Sequence, residues 1–127
     1  MTNNVFEIAK QKALSNDEDV HLAAVLIRNN HTVRIGTNQQ KTHPKFTRYY
    51  PDGTCRSHLH AEMDVLRFSK PGDVIFVMRF DKDGALTMSK PCKYCQQHIK
   101  DFGIKTVHYS DWEGEMVKWN VKNAMRD

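Results

Sequence analysis

The sequence predicts an α/β fold in which helices pack against one mixed sheet. Apolar runs of strand length, such as residues 20–27 and 74–80, alternate along the chain with segments whose apolar residues recur at helical spacing. The resulting order is one helix, two strands, and then helix, strand, helix, strand and helix. Such an order is typical of a sheet that is covered by helices.

The helices are predicted from apolar periodicity and from the residues at their ends. Four are predicted, over residues 2–14, 61–69, 92–102 and 115–125. Pro91 immediately precedes the third, and Gly103 follows its last residue. Proline is favoured at the start of a helix and glycine just past its end, so this helix has well-defined limits.

The strands are predicted where short apolar runs are bounded by turn residues. Four cover residues 20–27, 32–36, 74–80 and 104–109, and residues 85–88 could return as a short additional strand. Asn29-Asn30 and Asp81-Lys82-Asp83-Gly84 are predicted to close two hairpins. Residues 38–59 contain Gly, Pro and aromatic residues without periodicity, and we predict a long loop there, a feature that is usually functional or disordered.

Composition limits the classes of protein that the chain can represent. It has 127 residues, of which 39% are hydrophobic, and this predicts one domain over residues 1–127. The apolar runs are too short for a membrane helix and the amino end lacks the features of a signal peptide, so we expect a soluble, cytoplasmic protein. A net charge of +4 fits an anionic partner, although a soluble protein that happens to be basic fits equally well.

Two short motifs at predicted helix starts carry the chemistry. His60-Ala61-Glu62 begins the second helix, and Pro91-Cys92-Lys93-Tyr94-Cys95 begins the third. The 28 residues between Glu62 and Pro91 have the length of a crossover connection. Such a connection brings both helix starts to the same edge of the sheet.

The side chains of these motifs suit a catalytic zinc ion. An imidazole from His60 and thiolates from Cys92 and Cys95 are typical zinc ligands, and three protein ligands leave the fourth position to water. Glu62 is a carboxylate near the metal that can carry protons between water and a substrate. Since residues two apart point in different directions on a helix, His60 must lie at the helix entrance to converge with Glu62.

Two other interpretations of these residues compete with catalytic zinc. A Cys-x-x-Cys at a helix start also occurs in thioredoxin-like redox pairs, although those require no His-x-Glu upstream. A structural zinc site, with His58 or Cys55 as a fourth ligand, would leave Glu62 without a role. The coincidence of two motifs at the appropriate separation favours catalytic zinc.

The pattern His-x-Glu … Pro-Cys-x-x-Cys resembles that of the zinc-dependent cytidine/deoxycytidylate deaminase superfamily, over about residues 20–109. The hairpin before Ser-Lys-Pro-Cys is similar to that of small members of phage and viral type. The resemblance implies a three-layer α/β/α sandwich with a mixed sheet. It also implies Zn²⁺ bound by His60, Cys92 and Cys95, with Glu62 as the general acid/base.

Further site residues are implied by the same resemblance. Asn38 would hold the ribose, Ala61 would lie under the base, and the backbone of Ser89 would meet the leaving amino group. Apart from the resemblance, Tyr109 or Trp112 could close the pocket, because both lie at the end of the last predicted strand, where open sheets bind ligands. An aromatic residue at such a position is more often part of the core or of an interface. Relatives of this kind commonly assemble as homo-oligomers.

The predicted loop over residues 38–59 interleaves cations with aromatic residues and precedes His60, so it should overhang the site. Lys45, Arg48 and Arg56 are candidates to hold a 5′-phosphate. The same loop could line a channel for single-stranded nucleic acid, or could simply face water.

We therefore expect a hydrolytic deaminase of nucleotide metabolism that converts the cytosine of a (deoxy)cytidine nucleotide such as dCMP to uracil and releases ammonia. A histidine as the first ligand resembles the nucleotide and polynucleotide branches rather than the free-cytidine enzymes. The alternatives are a deaminase of cytosine or adenine in single-stranded DNA or RNA, and a catalytically silent zinc-binding module.

Overall fold

A computed structural model describes the backbone of residues 3–15, 21–42, 48–49, 55–56, 58–59 and 61–122, and the side chains within 5–15, 21–38, 61–93 and 95–122. The helices are α1 Asn3–Leu14, α2 Ala61–Leu66 and α3 Lys93–Asp101. The strands are β1 His21–Arg28, β2 His31–Thr37, β3 Gln39–Thr42, β4 Arg48–Tyr49, β5 Cys55–Arg56, β6 His58–Leu59, β7 Val74–Phe80, β8 Leu86–Thr87, β9 Thr106–Ser110 and β10 Met116–Asn120.

A six-stranded mixed sheet forms the centre of the fold; five of its strands follow the order β10-β9-β7-β1-β2, and β8 lies off this path. Strand β7 runs parallel to β9 and antiparallel to β1. Strand β8 pairs with the last two residues of β7, on the edge that β1 leaves open. The prediction of helices packed on one mixed sheet is confirmed.

The sheet has a buried cluster on each face, which gives the fold its three layers. In β1, Ala23 and Val25 pack with α1, whereas Ala24 and Leu26 pack with α2 and α3. This alternation follows from the period of two along a strand, and it explains why an almost continuous apolar run is needed where both faces are covered.

The first hairpin closes through Asn29-Asn30, where the sequence predicts a turn. Arg28 pairs with His31 across a two-residue loop. Both asparagines have positive φ, 52° and 65°, as the type I′ hairpin turn requires. Asparagine tolerates this left-handed region better than other non-glycine residues, so no glycine is needed.

The predicted closing helix over residues 115–125 is wrong where the structure describes it. The segment forms β10, which pairs antiparallel with β9 after a turn at Gly114 (φ 80°). Trp119 and Val121 are buried and alternate with exposed residues. This alternation, placed after a hairpin turn, prevails over the helical preference of the Glu, Met and Lys residues in the segment.

The predicted loop over residues 38–59 also needs correction, because it contains four short strands. Strands β3 and β6 pair with each other, and so do β4 and β5, both antiparallel. Two-residue strands are too short to show the alternation from which strands are predicted.

In the part of the chain that the structure describes, no helix is long and apolar enough to cross a membrane.

Candidate active site

The start of α3 holds the two cysteines of the second motif. Cys92 is the N-cap residue, in extended conformation, and its Sγ accepts the backbone N–H of Cys95 at 3.5 Å. Both are reduced thiols, Cys95 fully buried and Cys92 partly so. An N–H donor and the positive end of the helix dipole both stabilise a thiolate, the form in which cysteine binds metals.

The start of α2 holds Ala61 and Glu62, both buried, with 4% of Glu62 exposed. The helix is fixed to the sheet one turn further on. Asp64 forms ion pairs with Arg34 of β2 and with Arg67, and its own side chain is almost fully buried. Strand β2 can approach α2 closely at Gly36, where a Cβ would lie 2.7 Å from Asp64 Oδ2.

A cavity of about 150 Å³ connects the two helix starts. Glu62 and Ser89 line it and are buried, at 4% and 5% exposure, whereas its other lining residues are only partly buried. These are Leu22, Arg79, Met88, Lys90 and Cys92. The predicted acid/base and one predicted zinc ligand therefore line the same small cavity.

Ser89 is fixed in the cavity wall by contacts with Val77, in the middle of β7, and with Ser110, the last residue of β9. Its N–H donates to Ser110 O at 2.8 Å, and its hydroxyl donates to Val77 O at 2.7 Å. Ser110 N–H donates to Ser89 Oγ at 2.7 Å, and the Ser110 hydroxyl donates to Thr87 O at 2.5 Å. This cluster, the Ser89–Ser110 clasp, joins the segment before Pro91 to the sheet.

Other predicted site residues lie beyond the lining of this cavity or beyond the described part of the chain. Asn38 lies next to it, with its Oδ1 accepting the Leu22 N–H at 3.0 Å. Tyr109 packs against the core cluster on the side of α2 and α3, and the cavity lining does not include it. His60 and Lys45 lie outside the described residues. Arg48 and Arg56 are register partners in β4 and β5, where only the backbone is described.

The two cysteines at the start of α3 are suited to bind zinc. Two thiols at one helix start, the outer one already accepting an N–H bond, are the soft ligands that zinc prefers. Among the described residues no group of three candidate ligands comes together. The third predicted ligand, His60, falls outside them, one residue before α2 begins.

Sequence reasoning missed two cations of the cavity wall, Arg79 and Lys90. Arg79 takes the strand position that follows Ile75 and Val77 on the same face of β7, where a third apolar residue would continue the pattern. A cation that interrupts an apolar alternation at a strand end was the available signal. Lys90 directly follows Ser89, and the sequence prediction included Ser89 but not Lys90.

Comparison with known proteins decides the family. The model of the cytidine and deoxycytidylate deaminase zinc-binding region matches residues 2–111. The chain belongs to this deaminase family. The match includes His60, Glu62, Cys92 and Cys95 within its limits, and the family resemblance predicted from the motifs is confirmed.

Solved structures confirm the deaminase fold. The dCMP deaminase of cyanophage S-TIM5 in its apo form superposes with a TM-score of 0.54 at 21% sequence identity, covering 88% of this chain and 86% of that one. The same enzyme in complex with dCMP and dUMP gives 0.52 at 22% identity, covering 88% and 85%. The similarity to phage members was also expected from the sequence. No curated protein sequence matches the chain significantly.

Proposed function

We propose that the protein is a zinc-dependent hydrolytic deaminase that converts the cytosine of dCMP, or of a closely similar nucleotide, to uracil. The observation that carries this proposal is that Glu62 of α2 and Cys92 at the start of α3 line one cavity in a chain of the deaminase family. The family model describes a zinc-binding region, which supports zinc as the cofactor.

His60, Cys92 and Cys95 are the residues that would hold the ion. When bound, zinc supplies Lewis-acid activation of the attacking water. Cys92 and Cys95 contribute two negative charges from a helix start, where backbone N–H groups stabilise them. Because Glu62 and Cys92 line the same cavity, the carboxylate would lie close to the ion, and it need not be a ligand.

Glu62 carries the protons of the reaction. The carboxylate takes a proton from the attacking water and delivers it to N3 of the base; it then takes the second proton from the hydroxyl formed on C4 and delivers it to the amino group. The C4–N bond breaks, the oxygen of water remains on C4 as the carbonyl, and ammonia leaves. Because Glu62 is 4% exposed, bulk water does not compete strongly for the protons that it transfers.

The remaining predicted residues orient the substrate. The hydroxyl of Ser89 is engaged by the protein, so its contribution to the amino group comes from its backbone. Asn38 is oriented by the bond from the Leu22 N–H to its Oδ1, and Leu22 lines the cavity. We assign Asn38 to the ribose and Ala61 to the lower face of the base. We also propose that residues 1–127 form one domain, since the family match spans residues 2–111.

The choice of dCMP is supported by the relatives of known structure. The cyanophage enzyme with a similar fold is a dCMP deaminase and has been solved with dCMP and dUMP. At 21% and 22% identity this likeness is one of fold, so the substrate must be tested directly. We expect uracil formation from dCMP, and uracil formed only within a single-stranded oligonucleotide would instead support the polynucleotide alternative.

Two substitutions test the mechanism. Glu62→Gln should lower kcat on dCMP by at least about 100-fold, since general acid–base catalysis contributes roughly that much. Zinc content, measured by elemental analysis, should be retained.

Cys92→Ser should lower zinc content as well as activity. Lys82→Gln, on the exposed β7–β8 turn, is the matched control and should change neither. Full activity in Glu62→Gln would contradict the acid/base role of Glu62, whereas a wild-type protein that binds zinc but deaminates no substrate would support the silent zinc-binding module.

A further inference from the structure

Arg79 is set apart from the other arginines whose side chains the structure describes. Arg28 pairs with the buried Asp73, while Arg34 and Arg67 both pair with the buried Asp64. Arg79 has no ion pair with any residue in the described part of the chain, although it is half-buried and lines the cavity that contains Glu62. A guanidinium held in a cavity wall without a carboxylate partner is suited to an anion from outside the protein.

The direction of Arg79 is set by the register of β7. Ile75 and Val77 belong to the core cluster that contains α2 and α3, so Arg79, two residues on, emerges on the same face. Its register partner in β1 is Leu22, another residue of the cavity wall. The guanidinium is therefore carried by the central part of the sheet rather than by a loop.

Lys90 supplies a second cation to the same cavity. It lies between the clasped Ser89 and Pro91, so its backbone is held close to the start of α3. Among the described lining residues, Glu62 is the one carboxylate and Arg79 and Lys90 are the two cations. The wall thus carries more positive than negative charge before the metal and its ligands are considered.

The burial of the lining residues separates an inner end from a rim. Glu62 and Ser89 are buried, whereas Arg79 and Lys90 are partly exposed. With the base beside Glu62, the sugar and its phosphate must extend toward the rim.

We infer that Arg79, together with Lys90, binds the 5′-phosphate of the substrate, so that Arg79 makes this site selective for nucleotides over nucleosides. The inference rests on the proposed function. A phosphate monoester offers paired oxygens that match the planar guanidinium, and a neutral nucleoside offers no such partner. Lys90 adds a point charge beside it without the same geometric demand.

The test compares dCMP with deoxycytidine as substrates of the zinc-loaded protein. For Arg79→Gln, kcat/KM on dCMP should fall roughly 10- to 100-fold, the loss expected for one charged hydrogen-bonded contact. On deoxycytidine it should stay within about twofold. Arg79→Lys keeps the charge but loses the paired geometry, and its loss on dCMP should be intermediate.

Lys82→Gln is the control for a general loss of positive charge, because Lys82 is exposed and outside the cavity lining. It should leave the ratio of the two kcat/KM values unchanged. Equal losses of kcat/KM on dCMP and deoxycytidine in Arg79→Gln, or no loss on dCMP, would overturn the inference. Either result would still be consistent with the proposed deaminase function. A wild-type protein that deaminates neither compound would contradict the proposed function instead.

Discussion

The side-chain oxygens of Ser89 and Ser110 lie 2.7 Å apart, and Ser110 is fully buried. Ser89 Oγ also contacts Val77 O, and Ser110 Oγ also contacts Thr87 O. Two hydroxyl protons can fill only two of these three oxygen–oxygen contacts, so both hydroxyls donate within the protein. The clasp holds the segment that leads into Cys92 against the middle of β7 and the end of β9, two parallel strands.

Ser110→Ala should weaken this clasp. The substitution removes the donor to Thr87 O and leaves that carbonyl without its hydroxyl partner, which should lower the free energy of unfolding by about 1–2 kcal/mol. Activity should fall as well, because Ser89 and Cys92 lie in the cavity wall that the clasp positions. Urea denaturation and dCMP turnover measure the two effects.

The control for Ser110→Ala is Ser15→Ala. Ser15 donates to Lys12 O at 2.8 Å, as Ser110 donates to Thr87 O, but it is exposed to solvent. Its loss should change the free energy of unfolding by no more than about 0.5 kcal/mol. An unfolding curve for Ser110→Ala that coincides with that of the wild type would contradict a structural role for the clasp.

Gly36→Ala should disturb the helix that carries Glu62. A Cβ at position 36 would lie 2.7 Å from Asp64 Oδ2, closer than such atoms approach, and 3.0 Å from Val65 Cγ1, an unusually tight contact. Strand β2 and α2 must separate to relieve this overlap, at a cost of about 1–3 kcal/mol in the free energy of unfolding. Because Asp64 is held by Arg34 and Arg67, it cannot turn aside freely.

Urea denaturation checks the stability of Gly36→Ala, and kcat on dCMP checks the displacement of Glu62. Val33→Ala, on the same strand but with Val33 39% exposed, is the control and should stay within about 0.5 kcal/mol of the wild type. Unchanged stability and kcat in Gly36→Ala would show that β2 and α2 do not need their close approach.

Local signals in the sequence were sufficient for much of the fold. Strand β7 is observed at Val74–Phe80, as predicted, because a continuous apolar run between two turns leaves few alternatives. The start of α3 was equally clear from Pro91 and the cysteine spacing. Strand β10 could not be predicted in this way, because Glu, Met and Lys favour a helix locally. Trp119 is buried as a strand residue only through the pairing of β10 with β9.

The candidate site divides in the same way. Glu62 and Cys92 could be predicted because each belongs to a short motif with known chemistry. Arg79 leaves only a cation that interrupts an apolar alternation, and Ser110 leaves no local signal, since the contacts of both residues depend on register across the sheet. Ser110 meets Ser89 from 21 residues away, and Arg79 reaches the cavity because β7 lies between β1 and β8. Contacts of this range have no local signature.

Asp73→Asn should destabilise the protein near neutral pH. Burial raises the pKa of the Asp73 carboxyl, but hydrogen bonds from the Arg28 guanidinium and from the Lys70 N–H outweigh burial, and the pKa is lowered overall. Loss of the charged acceptor should lower the free energy of unfolding by roughly 2 kcal/mol at pH 7. Asp83→Asn, an exposed carboxyl in the β7–β8 turn, is the control at the same pH.

The effect of Asp73→Asn should also depend on pH. A carboxyl whose pKa is lower in the folded protein stabilises it fully above the unfolded-state pKa, and this contribution is lost as the pH falls through the folded-state pKa. The difference between wild type and variant should therefore shrink in acid. Urea denaturation from pH 7 downward measures it, and a difference that is constant with pH would contradict the role of the Arg28–Asp73 pair.

His108 lies in a row of side chains across three strands. It is the register partner of Phe76 in β7 and of Lys118 in β10, and its ring stacks on Phe76 with centroids 4.3 Å apart and planes 8° from parallel. Burial lowers the pKa of His108, and the positive charge of Lys118 lowers it further. The folded protein thus favours the neutral imidazole.

His108→Phe should make stability less dependent on pH in mild acid. As the pH falls below about 6.5, the ordinary pKa of histidine, the unfolded chain takes up a proton on this side chain before the folded protein does, so wild-type stability declines. Phenylalanine keeps an aromatic ring on Phe76 but cannot titrate. Thermal unfolding of both proteins is measured between pH 8 and pH 5, a range of about three units that includes the usual histidine pKa. The decline in stability should be shallower in the variant. Lys118→Gln should also make the decline shallower, because it removes one cause of the lowered pKa. Parallel declines in all three proteins would mean that His108 is not the group responsible.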